Sequence, residues 1–214
     1  MMLNNNQTIV FFGDSITEGH KTNTESIPGH DTLGTGFVNL VHSYIMVNHP
    51  NLNLKIINQG ISGHRSMDLI NRIQKDCLDY HPDWVVMMIG TNDAWRQVDS
   101  PHIPKYIMKP NEYKDNLRKL IETFKSKNIK LLLLSPFMIE LNHENKLKSL
   151  INGYVSDMEN LAIEYELPFI NINHAFNESL KTLTHNQLSK DQIHPNLAGH
   201  MIIATEIIKY FSSK

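Results

Sequence analysis

The 214-residue chain has one cysteine, Cys77, so no internal disulfide can form. Cys77 falls in 69–78, which reads as a helix, and no Cys/His ligand spacing accompanies it. The thiol is therefore read as structural. Lysine and arginine number 20 against 22 acidic residues, and no basic block stands out. A nucleic-acid partner gripped by a charged face is not expected. No apolar run approaches the ~20 residues that span a bilayer. Residues 1–8 are polar and lack the basic and apolar regions of a signal peptide. The expectation is a cytoplasmic protein with no membrane partner. Nine prolines and ten glycines are too few for a low-complexity chain. There is no repeat and no linker, so 1–214 reads as one domain around one core. No His-Glu-x-x-His or similar cluster appears, so neither a metal nor another cofactor is expected.

Short apolar runs alternate with longer helical patterns. Segments 8–12, 54–58, 84–89, 130–134 and 168–172 read as strands, rich in β-branched or aromatic residues and bounded by Gly, Asn, Pro or Ser. The unbroken run Val85-Val86-Met87-Met88-Ile89 suits a parallel strand covered on both faces. Helices are expected near 36–48, 66–78, 111–127, 143–166 and 196–211, the last opened by Pro195 and Asn196. Five β-then-α units predict a three-layer α/β/α sandwich on a five-stranded parallel sheet, flavodoxin-like in architecture. Stretches 20–33 and 94–110, the second with three prolines, read as irregular loops and as candidate walls of a site.

The polar residues cluster where such a sheet binds ligands, beyond the carboxyl ends of its strands. Gly13-Asp14-Ser15 follows the first strand, Gly60 with Ser62-Gly63-His64 the second, and Gly90-Thr91-Asn92-Asp93 the third. Asp191 and His194 follow the fifth. A serine hydroxyl needs a neighbouring base, and histidine suits that task near neutrality. An aspartate can fix the imidazole tautomer. Asp191-Gln192-Ile193-His194 supplies both within one turn, and the backbone N–H groups of Ser15 and Gly60 with the Asn92 amide can form an oxyanion hole. Alone, Ser15 is an ordinary turn or capping serine. Asp14, His64, Trp95 and Arg96 are candidate substrate contacts. Asp14 equally suits a brace for the turn, and Trp95 with Arg96 a packed aromatic beside an ion pair. His200 is read as a packing residue or one that satisfies a polar group.

Gly13-Asp14-Ser15, Gly60, Gly90-Thr91-Asn92-Asp93 and Asp191-Gln192-Ile193-His194-Pro195 resemble, in order, the four blocks of the SGNH (GDSL) hydrolases. The resemblance implies a serine esterase with Ser15, Asp191 and His194 as triad and Ser15, Gly60 and Asn92 as oxyanion donors. The stretches Asn58-Gln59-Gly60-Ile61-Ser62-Gly63, Trp95-Arg96-Gln97 and His194-Pro195-Asn196-Leu197-Ala198-Gly199-His200-Met201 are similar to intracellular bacterial acetylxylan esterases. That likeness implies acetylated xylo-oligosaccharides as substrates, no metal, and a homo-oligomer. Lys190 departs from it, standing where some of these esterases carry a tryptophan before the triad aspartate. The alternative reading is a lysophospholipase or acyl thioesterase, which requires an apolar acyl channel. A non-catalytic binding module is disfavoured because no phosphate-binding glycine loop follows the first strand and a complete triad would serve no purpose.

Overall fold

The computed structural model describes residues 2–22 and 32–213. Of the loop expected at 20–33, residues 23–31 therefore lie outside the described residues. The strands are β1 (Thr8–Gly13), β2 (Lys55–Gly60), β3 (Trp84–Met88), β4 (Lys130–Leu134) and β5 (Phe169–Ile170). They form one sheet in the order β2-β1-β3-β4-β5, and every pairing is parallel. This is the flavodoxin-like order, with its switch point between β1 and β3.

Successive side chains of a strand point to opposite faces, and both faces here are apolar. Ile9, Phe11, Val86, Met88, Leu132 and Leu134 share one core with α2 (Phe37–Asn48), α7 (Ile172–Ser179) and α9 (Leu197–Ser212). Val10, Phe12, Val85, Met87, Leu131 and Leu133 share the other with α3 (Ser66–Asp76), α5 (Glu112–Ser126) and α6 (Lys146–Glu164). The three expected layers follow directly. Cys77 ends α3 fully buried, and burial pushes its thiol up to about 12, which suits a structural thiol.

Three expectations of the sequence reading are corrected. Stretch 94–110 is not loop throughout: α4 (Thr91–Asp99) runs into it, with Ala94 buried and Trp95 and Val98 packed beside Ile193. The helix expected at 66–78 stops at Asp76. The strand expected at 168–172 pairs over two residues only, because the Asn171 side chain caps α7 by accepting from the His174 N–H. Two four-residue helices, α1 (Ser15–Glu18) and α8 (His185–Leu188), complete the α-helices of the described residues.

Candidate active site

The chain leaves β1 and turns at once into α1, so Ser15 is the first helical residue. Asp14 caps that helix, accepting from the Ile16 N–H at 3.0 Å. It is 1% exposed, and the bond to Ile16 gives it the bracing role considered for it. Burial pushes its carboxyl up to about 7, against the pull of the Ile16 N–H and of His194. Between the ordinary aspartate value and about 7, the unfolded chain has lost a proton that the folded chain keeps, so Asp14 lowers stability as pH rises. Asp14→Asn cannot ionise. Its urea midpoint relative to the parent is expected to rise from pH 4 to pH 8, and a difference constant over that range would contradict the account.

Ser15 Oγ lies 3.0 Å from His194 Nε2, and His194 Nδ1 lies 2.7 Å from Asp191 Oδ2. These groups arrive from opposite ends of the chain. Loop 189–195 is closed at its base by a bridge between Ser189 and Pro195. Inside it, Asp191 Oδ1 accepts from the N–H groups of His194 (2.8 Å) and Ile193 (3.0 Å) and from Ser189 Oγ (3.0 Å). These three hydrogen bonds wrap the backbone around Gln192, which sits at φ +66°, uncommon for a residue with a side chain. Ile193 is buried with Ala94, Met138 and Ile151, and Ile139 N–H donates to the Gln192 carbonyl, so the loop is anchored in a small core of its own. Partial burial opposes ionisation of Asp191. The bond to His194 and the three donors outweigh it and hold the carboxyl well below the usual range. The arrangement pairs a hydroxyl with an imidazole whose far nitrogen faces an anion, as serine nucleophiles require.

The second strand end corrects the expectation for Gly60. Its N–H donates to the Asn58 side chain at 2.9 Å and is not free for an oxyanion. A Cβ there would strike the backbone of Thr17 and Glu18, so this glycine admits α1 and not a substrate. Asn58, missed by the sequence reading, clamps the strand end to α1 and the next loop by donating to the carbonyls of Thr17 and Leu33, each at 2.8 Å. Three residues on, Gly63 turns at φ +78° with open space beside its Cα, and its N–H has no acceptor among the described residues. Asn92, 4% exposed near the start of α4, donates one amide hydrogen to the His64 carbonyl at 3.0 Å. The second hydrogen of that amide stays available. Asp93 fixes the neighbouring turn, accepting from Ser66 N–H and Oγ, and burial pushes its carboxyl up to about 6.

Arg72 was also missed. Its Nη2 donates to the carbonyls of Gly13 (2.8 Å) and Gln59 (3.0 Å), and its guanidinium lies 4.4 Å from the Phe12 ring centroid. One side chain thus pins the ends of β1 and β2 beside the nucleophile. Trp95 meets the His194 ring edge-on, 5.9 Å between centroids, so it borders the site. Arg96 is held by Asp99 at 2.5 Å and lies over Trp95 and Tyr106, the ion-pair reading of that residue. The His64 carbonyl accepts from the Asn92 amide and so orients it. The cavity beside Ser15, about 270 Å³, is lined by Ser15, Glu18, His20, Ser62, His194 and His200, with Ile16, Gly19 and Pro195 between them. Among the described residues, no group of three or more His, Cys, Asp or Glu could hold a metal ion.

The family model for GDSL-like lipases and acylhydrolases matches residues 11–202. The chain belongs to that family. As a member it is a carboxylic ester hydrolase, and the geometry above is that of a GDSL serine site. Its relatives include the acetylxylan esterase of Geobacillus stearothermophilus, 35% identical over 98% of this chain and 95% of that protein. An isoamyl acetate-hydrolysing esterase of Saccharomyces cerevisiae is 27% identical over 95% of this chain and 85% of that protein. The crystal structure of the Geobacillus esterase superposes with a TM-score of 0.93 at 34% identity, covering 100% of this GDSL chain and 98% of the other.

Proposed function

We propose that the chain removes acetyl groups from xylo-oligosaccharides or related sugars through an acetyl-enzyme on Ser15. The observation that carries this reading is the His194 imidazole bridging Ser15 Oγ and Asp191 Oδ2 at 3.0 and 2.7 Å. His194 Nε2 takes the Ser15 proton as Oγ bonds to the ester carbon, and the carbonyl pair moves onto oxygen. The oxyanion is received by the N–H groups of Ser15 and Gly63 and by the free amide hydrogen of Asn92. Collapse breaks the bond to the sugar oxygen, which leaves with the proton from His194. Water then repeats the sequence and frees acetate. Asp191 keeps the proton of the neutral imidazole on Nδ1 throughout.

Two relatives whose names specify acetyl esters support the acyl group, and the Geobacillus enzyme supports the sugar. The cavity beside Ser15 is small, about 270 Å³, and carries Glu18, His20, Ser62 and His200 in its wall, groups that can meet a sugar's hydroxyls. Acetate release from a panel of acetylated xylo-oligosaccharides tests the substrate. Appreciable rates are expected, and faster cleavage of long-chain than of acetyl esters would overturn it. Asn92→Ala is expected to lower kcat about 10²-fold, and a change under tenfold would remove the amide from the oxyanion hole. We also infer one domain over 1–214, working in the cytoplasm as a homo-oligomer, supported by the resemblance to intracellular esterases and tested by light scattering of the eluting protein. No helix of the described residues is long and apolar enough to cross a membrane.

A further inference from the structure

His200, read from the sequence as packing or polar satisfaction, also stands in the wall of the cavity that holds Ser15 and His194. It lies in the first turns of α9, beyond the Asn196 cap, and is 8% exposed. Its ring stacks on Phe37, with 6.2 Å between centroids and 25° between planes, and its Cε1 edge is pressed against Gly36. A Cβ at position 36 would collide with that edge. The ring is thereby held in one orientation.

That orientation decides its chemistry. The Phe37 N–H donates to His200 Nδ1 at 3.2 Å. A ring nitrogen that accepts carries no proton, so in the neutral imidazole the hydrogen sits on Nε2. Burial pushes the group down to about 4, so the neutral form persists at neutral pH. Protonation would also cost the bond from Phe37. Nε2 has no acceptor among the described residues, it is the ring's one remaining polar atom, and it keeps some accessible surface. The cavity beside the nucleophile is thus furnished with a fixed, uncharged donor. A charged donor there would oppose protonation of His194 during attack. An uncharged one does not.

We propose that His200 is a specificity-determining residue whose Nε2–H donates to a hydroxyl oxygen of the sugar bearing the scissile acetyl group. The assignment rests on the carbohydrate-ester reading above and adds the group that recognises the alcohol side of the ester. An alkyl group in the same place would bury that N–H without a partner, which disfavours apolar alcohols.

The test compares kcat/KM for acetylated xylobiose with kcat/KM for p-nitrophenyl acetate, which carries no sugar hydroxyl. In His200→Phe the ratio of the first to the second is expected to fall about five- to tenfold, mainly through KM for the sugar. His200→Gln, whose amide can accept from Phe37 and still donate, is expected to recover most of that ratio. An equal loss on both substrates, or a glutamine variant no better than phenylalanine, would overturn the assignment. A series of acetylated deoxy-xylosides on the unaltered enzyme gives the same answer without relying on a variant that folds. One deoxy position should lose about five- to tenfold in kcat/KM, and uniform rates across the series would refute the contact. An unaltered enzyme that cleaves p-nitrophenyl acetate but no acetylated sugar would instead overturn the substrate reading itself.

Discussion

Ser15→Ala is expected to lower kcat for acetyl ester hydrolysis by about 10⁴-fold or more. The hydroxyl makes its one side-chain hydrogen bond with His194, so its loss removes chemistry and little structure. The Asp14 cap, the Arg72 bonds to Gly13 and Gln59, and the Asn58 clamp do not involve the Ser15 side chain. The variant should therefore melt within a few degrees of the parent, and the remaining rate should reflect the oxyanion donors alone. Steady-state kinetics on p-nitrophenyl acetate, with a thermal melt alongside, checks both halves. A loss below about a hundredfold would be too small for the nucleophile of such a triad.

Asp191→Asn is expected to cost about 10³- to 10⁴-fold in kcat at neutral pH, through the tautomer of His194 and not through the fold. Asp191 Oδ1 accepts from His194 N–H, Ile193 N–H and Ser189 Oγ, and only an oxygen can meet those two backbone donors. An asparagine that keeps them must turn its NH₂ toward His194 Nδ1. The imidazole then accepts at Nδ1 and carries its hydrogen on Nε2, where it cannot take the Ser15 proton. The loop bonds survive, so stability should change far less than rate. A variant within tenfold of the parent would show that Asp191 does not set the tautomer.

The sheet and its helices were legible because their cause is local. Alternating buried positions such as Ile9 and Phe11 against Val10 and Phe12 need two apolar cores, and that pattern is written in consecutive residues. The grouping of Ser15 with Asp191 and His194 was legible for a similar reason, since Asp191 and His194 are three residues apart and Ser15 follows directly on β1. What escaped depends on where backbone groups point. Gly60 ends β2 and Gly63 follows it, and the choice between them is made by Asn58, whose side chain captures the N–H two residues later. Asparagine two residues before the glycine was the available signal, together with Ser62-Gly63 as a turn pair. Helix α4 was hidden because the prolines at 101, 104 and 110 lent their character to the whole stretch, although Ala94, Trp95 and Val98 have helical spacing. Arg72 and His200 lie far along the chain from the groups they serve. Only the packing of α3 against β1 and β2, and of α9 beside α2, brings them in.

The central claim is that Ser15 is the group acylated during turnover. Treating the enzyme with a small organophosphate and mapping the adduct by peptide mass spectrometry tests it most directly. The account predicts complete loss of esterase activity with one adduct, on the peptide containing Ser15, and no labelling of that peptide in Ser15→Ala. Inactivation with the adduct on another residue, or with none, would contradict it.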